Sequence, residues 1–193
     1  ISPVLSPNGK YVIFLSEKNL FSTDLFLAEA ASGKIIKKVA STVSDSHVDQ
    51  FNYIESAGTW SPDNKRFAYD VYEKGQSTLI VEDIKKGKTV DRIKIPGVPA
   101  FSNPAWAPDG KSIVVSGVVK GQTDLYAYDL KTKKVRQLTN DRAAEILPQW
   151  SPDGQLLTYS TDKISLERGR SNGAWTMNLA VMNMETGVAE NLD

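Results

Sequence analysis

The sequence predicts an all-β protein, a β-propeller with four antiparallel four-stranded blades in view. Three observations carry that prediction: a recurring tight turn, a strand-like stretch after each turn, and a second strand repeated in register behind it. The turn occurs as Ser6-Pro7-Asn8-Gly9, Ser61-Pro62-Asp63-Asn64, Ala107-Pro108-Asp109-Gly110 and Ser151-Pro152-Asp153-Gly154. Trp60, Trp106 and Trp150 stand directly before the last three, and Leu5 takes that place in the first.

Each turn residue has a physical reason. Proline presets φ at the second position, Asp or Asn accepts hydrogen bonds from the backbone just beyond, and glycine takes up positive φ. Asn64 replaces glycine once, and Asn is the next residue to tolerate a left-handed backbone. Such a turn joins two neighbouring antiparallel strands.

After the turns come Tyr11 to Leu15, Arg66 to Tyr69, Ser112 to Val115 and Leu156 to Tyr159. The second strand recurs as Asp24-Leu25-Phe26-Leu27, Thr78-Leu79-Ile80-Val81, Asp124-Leu125-Tyr126-Ala127 and Asn178-Leu179-Ala180-Val181. A turn residue then follows at constant spacing: Gly33, Gly87, Lys133 and Gly187. Each copy closes on a short apolar–polar alternation such as Val135-Arg136-Gln137-Leu138. Period-2 segments between turn signals read as four strands per copy, and no segment is long and periodic enough to argue for a helix. Four strands in about 45 residues make a propeller blade. The blades are expected at about 1–50, 51–100, 101–145 and 146–193 of a single propeller region, with Trp and β-branched side chains filling the layers between sheets.

Composition excludes several function classes. The 193 residues are 40% hydrophobic and 24% charged, and 23 basic side chains balance 23 acidic ones. That balance gives no footprint for nucleic acid or an anionic membrane. The longest basic cluster, Lys131 to Arg136, falls at a strand–strand turn and reads as solvated. There are no cysteines, so disulfides and thiolate metal sites are out. No apolar run has the length to span a bilayer, and no direct membrane insertion is expected. The chain opens on Ile1 with no leader-like stretch, so any targeting segment is expected upstream or removed.

The run Pro104-Ala105-Trp106-Ala107-Pro108-Asp109-Gly110-Lys111, with Asp124-Leu125-Tyr126-Ala127-Tyr128-Asp129-Leu130 and Gln137-Leu138-Thr139, resembles the TolB-type, WD-like propeller repeat. Pro148-Gln149-Trp150-Ser151-Pro152-Asp153-Gly154 is similar to the same motif. The resemblance spans essentially the whole chain. It implies a periplasmic or envelope-associated bacterial protein that binds other proteins. Propellers of six to eight blades are the family's usual form, so further blades are expected outside these residues. Similar repeats also serve as propellers of prolyl oligopeptidase-like or metallopeptidase-linked proteins, with catalytic residues outside the propeller.

No convincing catalytic constellation is present. Gly169-Arg170-Ser171-Asn172-Gly173 matches the letters of a nucleophile elbow, but that motif requires a strand-to-helix turn. Here it is expected in a flexible loop between strands, and the single histidine, His47, precedes it. Asp45-Ser46-His47-Val48-Asp49 offers one imidazole without a second cluster and lacks an EF-hand's spacing and glycine. It reads as a solvated loop, so no metal and no cofactor are expected. Asp63, Asp109 and Asp153 read as turn caps, and no dedicated residue marks a small-ligand site in a central channel.

What remains are the departures from the repeat: 41–55, 162–176, and the short lead-in segment Asp141 to Glu145. Loops on a rigid scaffold concentrate binding residues, and Arg and Trp are favoured anchors. The expected partner-binding residues are therefore His47, Phe51, Tyr53, Arg142, Glu145, Arg168, Arg170 and Trp175. The expected partner is a protein or peptide, with other domains of the same polypeptide as a further possibility.

Overall fold

Four antiparallel sheets follow one another along the chain. The structure is a computed structural model, which describes residues 2–19, 22–41, 50–51, 57–169 and 173–192. The chain forms two compact units, 1–94 and 95–193, and each contains two sheets.

In the first unit one sheet has the order β1 (Val4–Leu5), β2 (Tyr11–Asn19), β3 (Ser22–Glu29), β4 (Ile35–Ser41). The other comprises β5 (Gln50–Phe51), β6 (Thr59–Trp60), β7 (Arg66–Glu73), β8 (Gln76–Asp83) and β9 (Lys88–Ile93). Here β5 and β6 both pair with β7, so the strand on that edge comes in two pieces. In the second unit the orders are β10 (Ala100–Trp106), β11 (Ser112–Val119), β12 (Gln122–Asp129), β13 (Val135–Gln137), and β14 (Glu145–Trp150), β15 (Leu156–Thr161), β16 (Asn178–Asn183), β17 (Ala189–Leu192). Each sheet is a meander of sequential strands, the blade pattern of a propeller.

The turns form as their residues dictate. In the fourth copy the Gly154 N–H donates to Ser151 O at 2.9 Å. The Ser151 hydroxyl donates to Asp153 Oδ1 at 2.6 Å and accepts the Leu156 N–H at 2.9 Å. The first two copies repeat this with Ser6 and Asn8, and with Ser61 and Asp63. The third has Ala107 and so lacks the hydroxyl bonds, but the Gly110 N–H still donates to Ala107 O and the Lys111 N–H to Asp109 Oδ1, each at 2.9 Å. Asn64 stands at φ 61° and Lys133 also at φ 61°; both are the left-handed positions that the spacing predicts.

Burial follows the pleat. In the first unit Ile13, Leu15, Leu25 and Leu27 pack against Trp60, Phe67, Tyr69, Val71 and Ile80. In the second, Val114, Leu125 and Ala127 pack against Leu157, Tyr159, Ala180 and Met182. Tryptophans reinforce these layers with a polar bond. Trp60 Nε1 donates to Val4 O at 3.2 Å, and Trp150 Nε1 donates to Ala105 O at 3.2 Å. Each reaches the first strand of the preceding sheet. Trp106 instead donates to Gly110 O in its own turn, at 3.3 Å. Gly58 shows how tightly one layer closes: a Cβ there would stand 2.3 Å from Ala68 O.

Two features depart from the sequence reading. A short helix, α1 (Lys163–Arg168), stands where only loop is expected. β10 and β14 are each bulged, between Ser102 and Ala105 and between Ile146 and Gln149. The bulges hold Asn103 at φ 53° and Leu147 at φ 57°, each directly before a proline.

Candidate functional site

The departures from the repeat in the second unit form one folded surface, organised by Asp162. This residue precedes α1 but gives the helix no side-chain cap. Its Oδ1 instead accepts the Ala144 N–H at 2.7 Å, and its Oδ2 accepts Trp175 Nε1–H at 2.9 Å. One carboxylate thus joins the lead-in segment of β14, the start of α1 and the segment that returns to β16. Ser165, buried in α1, donates to Thr176 O at 3.0 Å and accepts the Thr176 N–H at 2.9 Å. Arg168, in the last helical turn, reaches Ile164 O and Thr176 Oγ1, and its positive charge suits a helix C-terminus. The described parts of the insertion, 162–169 and 173–176, are therefore held onto the blade by these bonds.

The lead-in segment is held equally well. Asp141 Oδ1 accepts the Ala143 N–H at 2.8 Å, and Gln122 Nε2 donates to Ala143 O. Lys163 reaches across from α1 to Asp141 Oδ2 at 3.3 Å. With both side chains nearly half exposed, this pair supplies position more than stability.

Between the lead-in segment and β15 to β17 lies a cleft of about 250 Å3. Its walls include Leu138, Met182 and Ala189, with Glu145, Asp141 and Lys163 at the polar side. Glu145 is the correction here. It is expected on an exposed loop, but it opens β14 opposite Thr161 and is only 2% exposed. The antiparallel pairing of Glu145 with Thr161 turns this side chain inward. Glu145 Oε1 accepts from Thr161 Oγ1 at 3.4 Å, whereas Oε2 is buried without a hydrogen-bond partner. The nearby Thr139 hydroxyl accepts the Leu125 N–H at 2.9 Å and directs its own proton to Asp124 Oδ1 at 3.3 Å.

Electrostatics follow from that burial. Removal from water pushes the Glu145 carboxyl up to about 7 against the opposing pull of the Thr139 and Thr161 hydroxyls, and the negative charges of Asp141 and Asp124 add to the rise. Burial also raises Asp124, against the hydrogen bonds from Thr139 and Gln137. Tyr159 is pushed up to about 12, by burial first and then by Glu145 and Asp141. This cluster carries excess negative charge in a low-dielectric setting.

Of the residues expected to bind a partner, the structure brings Arg142, Glu145, Arg168 and Trp175 into this one region. Arg142, Arg168 and Trp175 are exposed, and Trp175 keeps 45% of its surface. His47, Tyr53 and Arg170 lie outside the described residues, as does the middle of the elbow-like segment. Phe51 belongs to β5 in the first unit. Sequence reasoning missed Asp124, Thr139, Tyr159, Thr161 and the organising role of Asp162. Asp124 recurs in register with Asp24, Thr78 and Asn178, which is the one signal that could have marked it. Among the described residues no three His, Cys, Asp or Glu side chains are grouped to hold a metal ion. No helix among them is long and apolar enough to cross a membrane.

The description of the TolB beta propeller domain matches residues 44–172, well over half of the chain. The chain belongs to the TolB β-propeller family. Among solved structures it is similar to TolB from Acinetobacter baumannii, with 19% identity and a TM-score of 0.77. That match covers 100% of this chain and 43% of the other. The protein described as TolB from Agrobacterium tumefaciens matches at 17% identity and a TM-score of 0.76, covering 98% of this chain and 63% of that one. The chain thus spans less than two thirds of either TolB structure. A puromycin hydrolase structure also matches, at 16% identity and a TM-score of 0.66, over 98% of this chain and 28% of the hydrolase. At such identities these likenesses establish the fold. No curated protein matches the chain.

Proposed function

We propose that this TolB-family propeller region is a non-catalytic scaffold that presents the Asp162-organised surface to a protein or peptide partner in the bacterial cell envelope. One observation carries the reading. The insertion between β15 and β16 departs from the repeat, yet it is folded onto the blade by Asp162 and Ser165 and leaves Trp175 half exposed. A prefolded surface loses little conformational entropy on binding, and an exposed indole in the same region as the exposed Arg142 and Arg168 has the composition of interface hot spots. The family supports an envelope setting.

A photo-crosslinking residue in place of Trp175 or Arg142 tests this in envelope extracts of the source cells. The same discrete partner should be captured from both positions and not from Val90, an exposed residue of the first unit. Capture should weaken at least tenfold when Arg168 and Trp175 are both changed to Ala. Equal capture from Val90, or undiminished capture by the double variant, overturns the proposal.

A second reading follows from the hydrolase likeness: the propeller of a larger peptidase or hydrolase, with its chemistry elsewhere in the polypeptide. The full coding sequence decides it. A fused domain with a serine elbow or a paired-histidine helix favours this reading, and its absence removes it.

A further inference from the structure

The cleft beside the Asp162 surface has a chemistry of its own. Glu145, one of its lining residues, keeps Oε2 buried without a hydrogen-bond partner in a side chain only 2% exposed. A buried carboxylate oxygen left unpaired is costly, and a cleft that retains one is suited to a ligand that donates to it. The surrounding charge sets the sign of that ligand. Asp124 and Asp141 add negative charge beside Glu145, while the cation in the cleft, Lys163, has its ammonium on Asp141.

We propose that this cleft is a subsite for a primary ammonium group on an aliphatic stem, the form of a lysine side chain, with Glu145 Oε2 accepting its hydrogen bond. Three observations select that ligand. Glu145 Oε1 is already engaged by Thr161, so the two-oxygen fork that a guanidinium prefers is not offered, and a point donor fits better. Leu138, Met182 and Ala189 supply an apolar wall for methylenes. A volume of about 250 Å3 suits a side chain more than a drug-sized ligand. The carboxylates are not grouped closely enough to hold a metal ion. A lysine borne by a protein partner rests on the proposed function, whereas ammonium recognition itself does not.

The binding should be linked to protons. The groups facing Glu145 are Asp124 from β12, Asp141 from the lead-in segment, Tyr159 from β15 and Lys163 from α1. Burial, with the two acids adding to it, raises the Glu145 carboxyl to about 7, so a bound ammonium must compete with its proton.

The probe is n-butylammonium chloride, followed by backbone amide NMR of the full 193-residue chain, with n-butanol and tetramethylammonium as controls. Saturable shifts confined to Thr139, Glu145, Thr161 and their neighbours are expected with n-butylammonium and with neither control. Affinity should be about tenfold higher near pH 8 than near pH 6, as expected for ionisation around 7. Glu145→Gln should weaken binding at least tenfold. Should that variant fail to fold, Ala189→Leu, on the exposed strand β17, should abolish binding by filling the cleft. Absence of saturation, equal shifts with tetramethylammonium, or undiminished binding in the folded variants overturns the subsite. If butylammonium binds while crosslinking from Trp175 and Arg142 finds no partner, the subsite stands and the envelope-partner reading falls.

Discussion

Two carboxylates eight residues apart, Asp153 and Glu145, are driven in opposite directions by their surroundings. Asp153 lies on the solvated tip of a turn. The Ser151 hydroxyl, then the Gln155 N–H, hold its carboxyl below the usual aspartate range. Glu145 is drawn inward by strand pairing and is pushed up to about 7 by burial. The first carboxylate closes its own hydrogen bonds within the turn and explains itself as structure. The second has an oxygen left over. The difference teaches where to look for function in a repeat: at acids whose hydrogen bonds the fold leaves incomplete.

The comparison can be broken most decisively at Glu145. Below about pH 4.5 its carboxyl is protonated whether the chain is folded or not. As pH rises towards 7 the unfolded chain gives up that proton while the folded chain keeps it, so folding becomes progressively less favourable. Glu145→Gln removes this penalty, and near pH 8 it should stabilise the chain on the order of 3 kcal/mol relative to the parent. Urea midpoints across the pH range check this; a variant that still loses stability between pH 5 and 8 as the parent does would contradict it. Turn carboxylates act with the opposite sign. Asp63, held down first by the Ser61 hydroxyl, stabilises the folded chain above its unfolded value of 3.8, and that contribution fades as pH falls through the folded value.

The next largest effect concerns the turn itself. Ser151→Ala reproduces the arrangement at Ala107 and leaves the Leu156 N–H without its hydroxyl acceptor. A loss of about 1 kcal/mol is expected in chemical denaturation. The Asp153 carboxyl should move up towards an ordinary value in a carbon-detected NMR titration. Leu147→Asn tests the bulge that sets the register beside Glu145. Leucine at φ 57° is strained, and Asn occupies the matching bulge at position 103. A gain of up to about 1 kcal/mol should follow, read as a higher melting temperature. Smallest is Ala107→Ser, which supplies the third turn with its missing hydroxyl and should add about 0.5 kcal/mol. A loss instead would show that the buried Ala107 site has no room for the oxygen.

The fold was legible because its signals are local and repeated. Asn64 and Lys133 could be placed in turns without glycine, since their positions recur at constant spacing, and both adopt positive φ. Trp60, Trp106 and Trp150 read as core and are largely buried. The helix α1 was not legible. Lys-Ile-Ser-Leu-Glu-Arg is too short to show a 3.6-residue period, and its stability rests on tertiary bonds through Ser165 and Asp162. Glu145 reads as loop in the sequence because Pro148 interrupts the alternation that would reveal a strand, and the bulge at Leu147 lies in the same place. A residue before proline is ordinarily extended, so nothing local announced a left-handed one. The unpaired oxygen in the cleft depends on four segments meeting, which no window along the sequence contains.

The tryptophan bonds of the fold carry a consequence for the size of piece that can stand alone. Trp60 and Trp150 each donate to a carbonyl on the first strand of the sheet before their own, across a shared apolar layer. One sheet cut from either unit would expose that layer and lose the indole bond at once. Within either unit a single sheet is therefore less complete than the pair, as for other repeat architectures whose neighbours complete one another. Removing one sheet of the first unit's pair should therefore cost folded protein, a difference that expression of 2–94 against 57–94 would reveal.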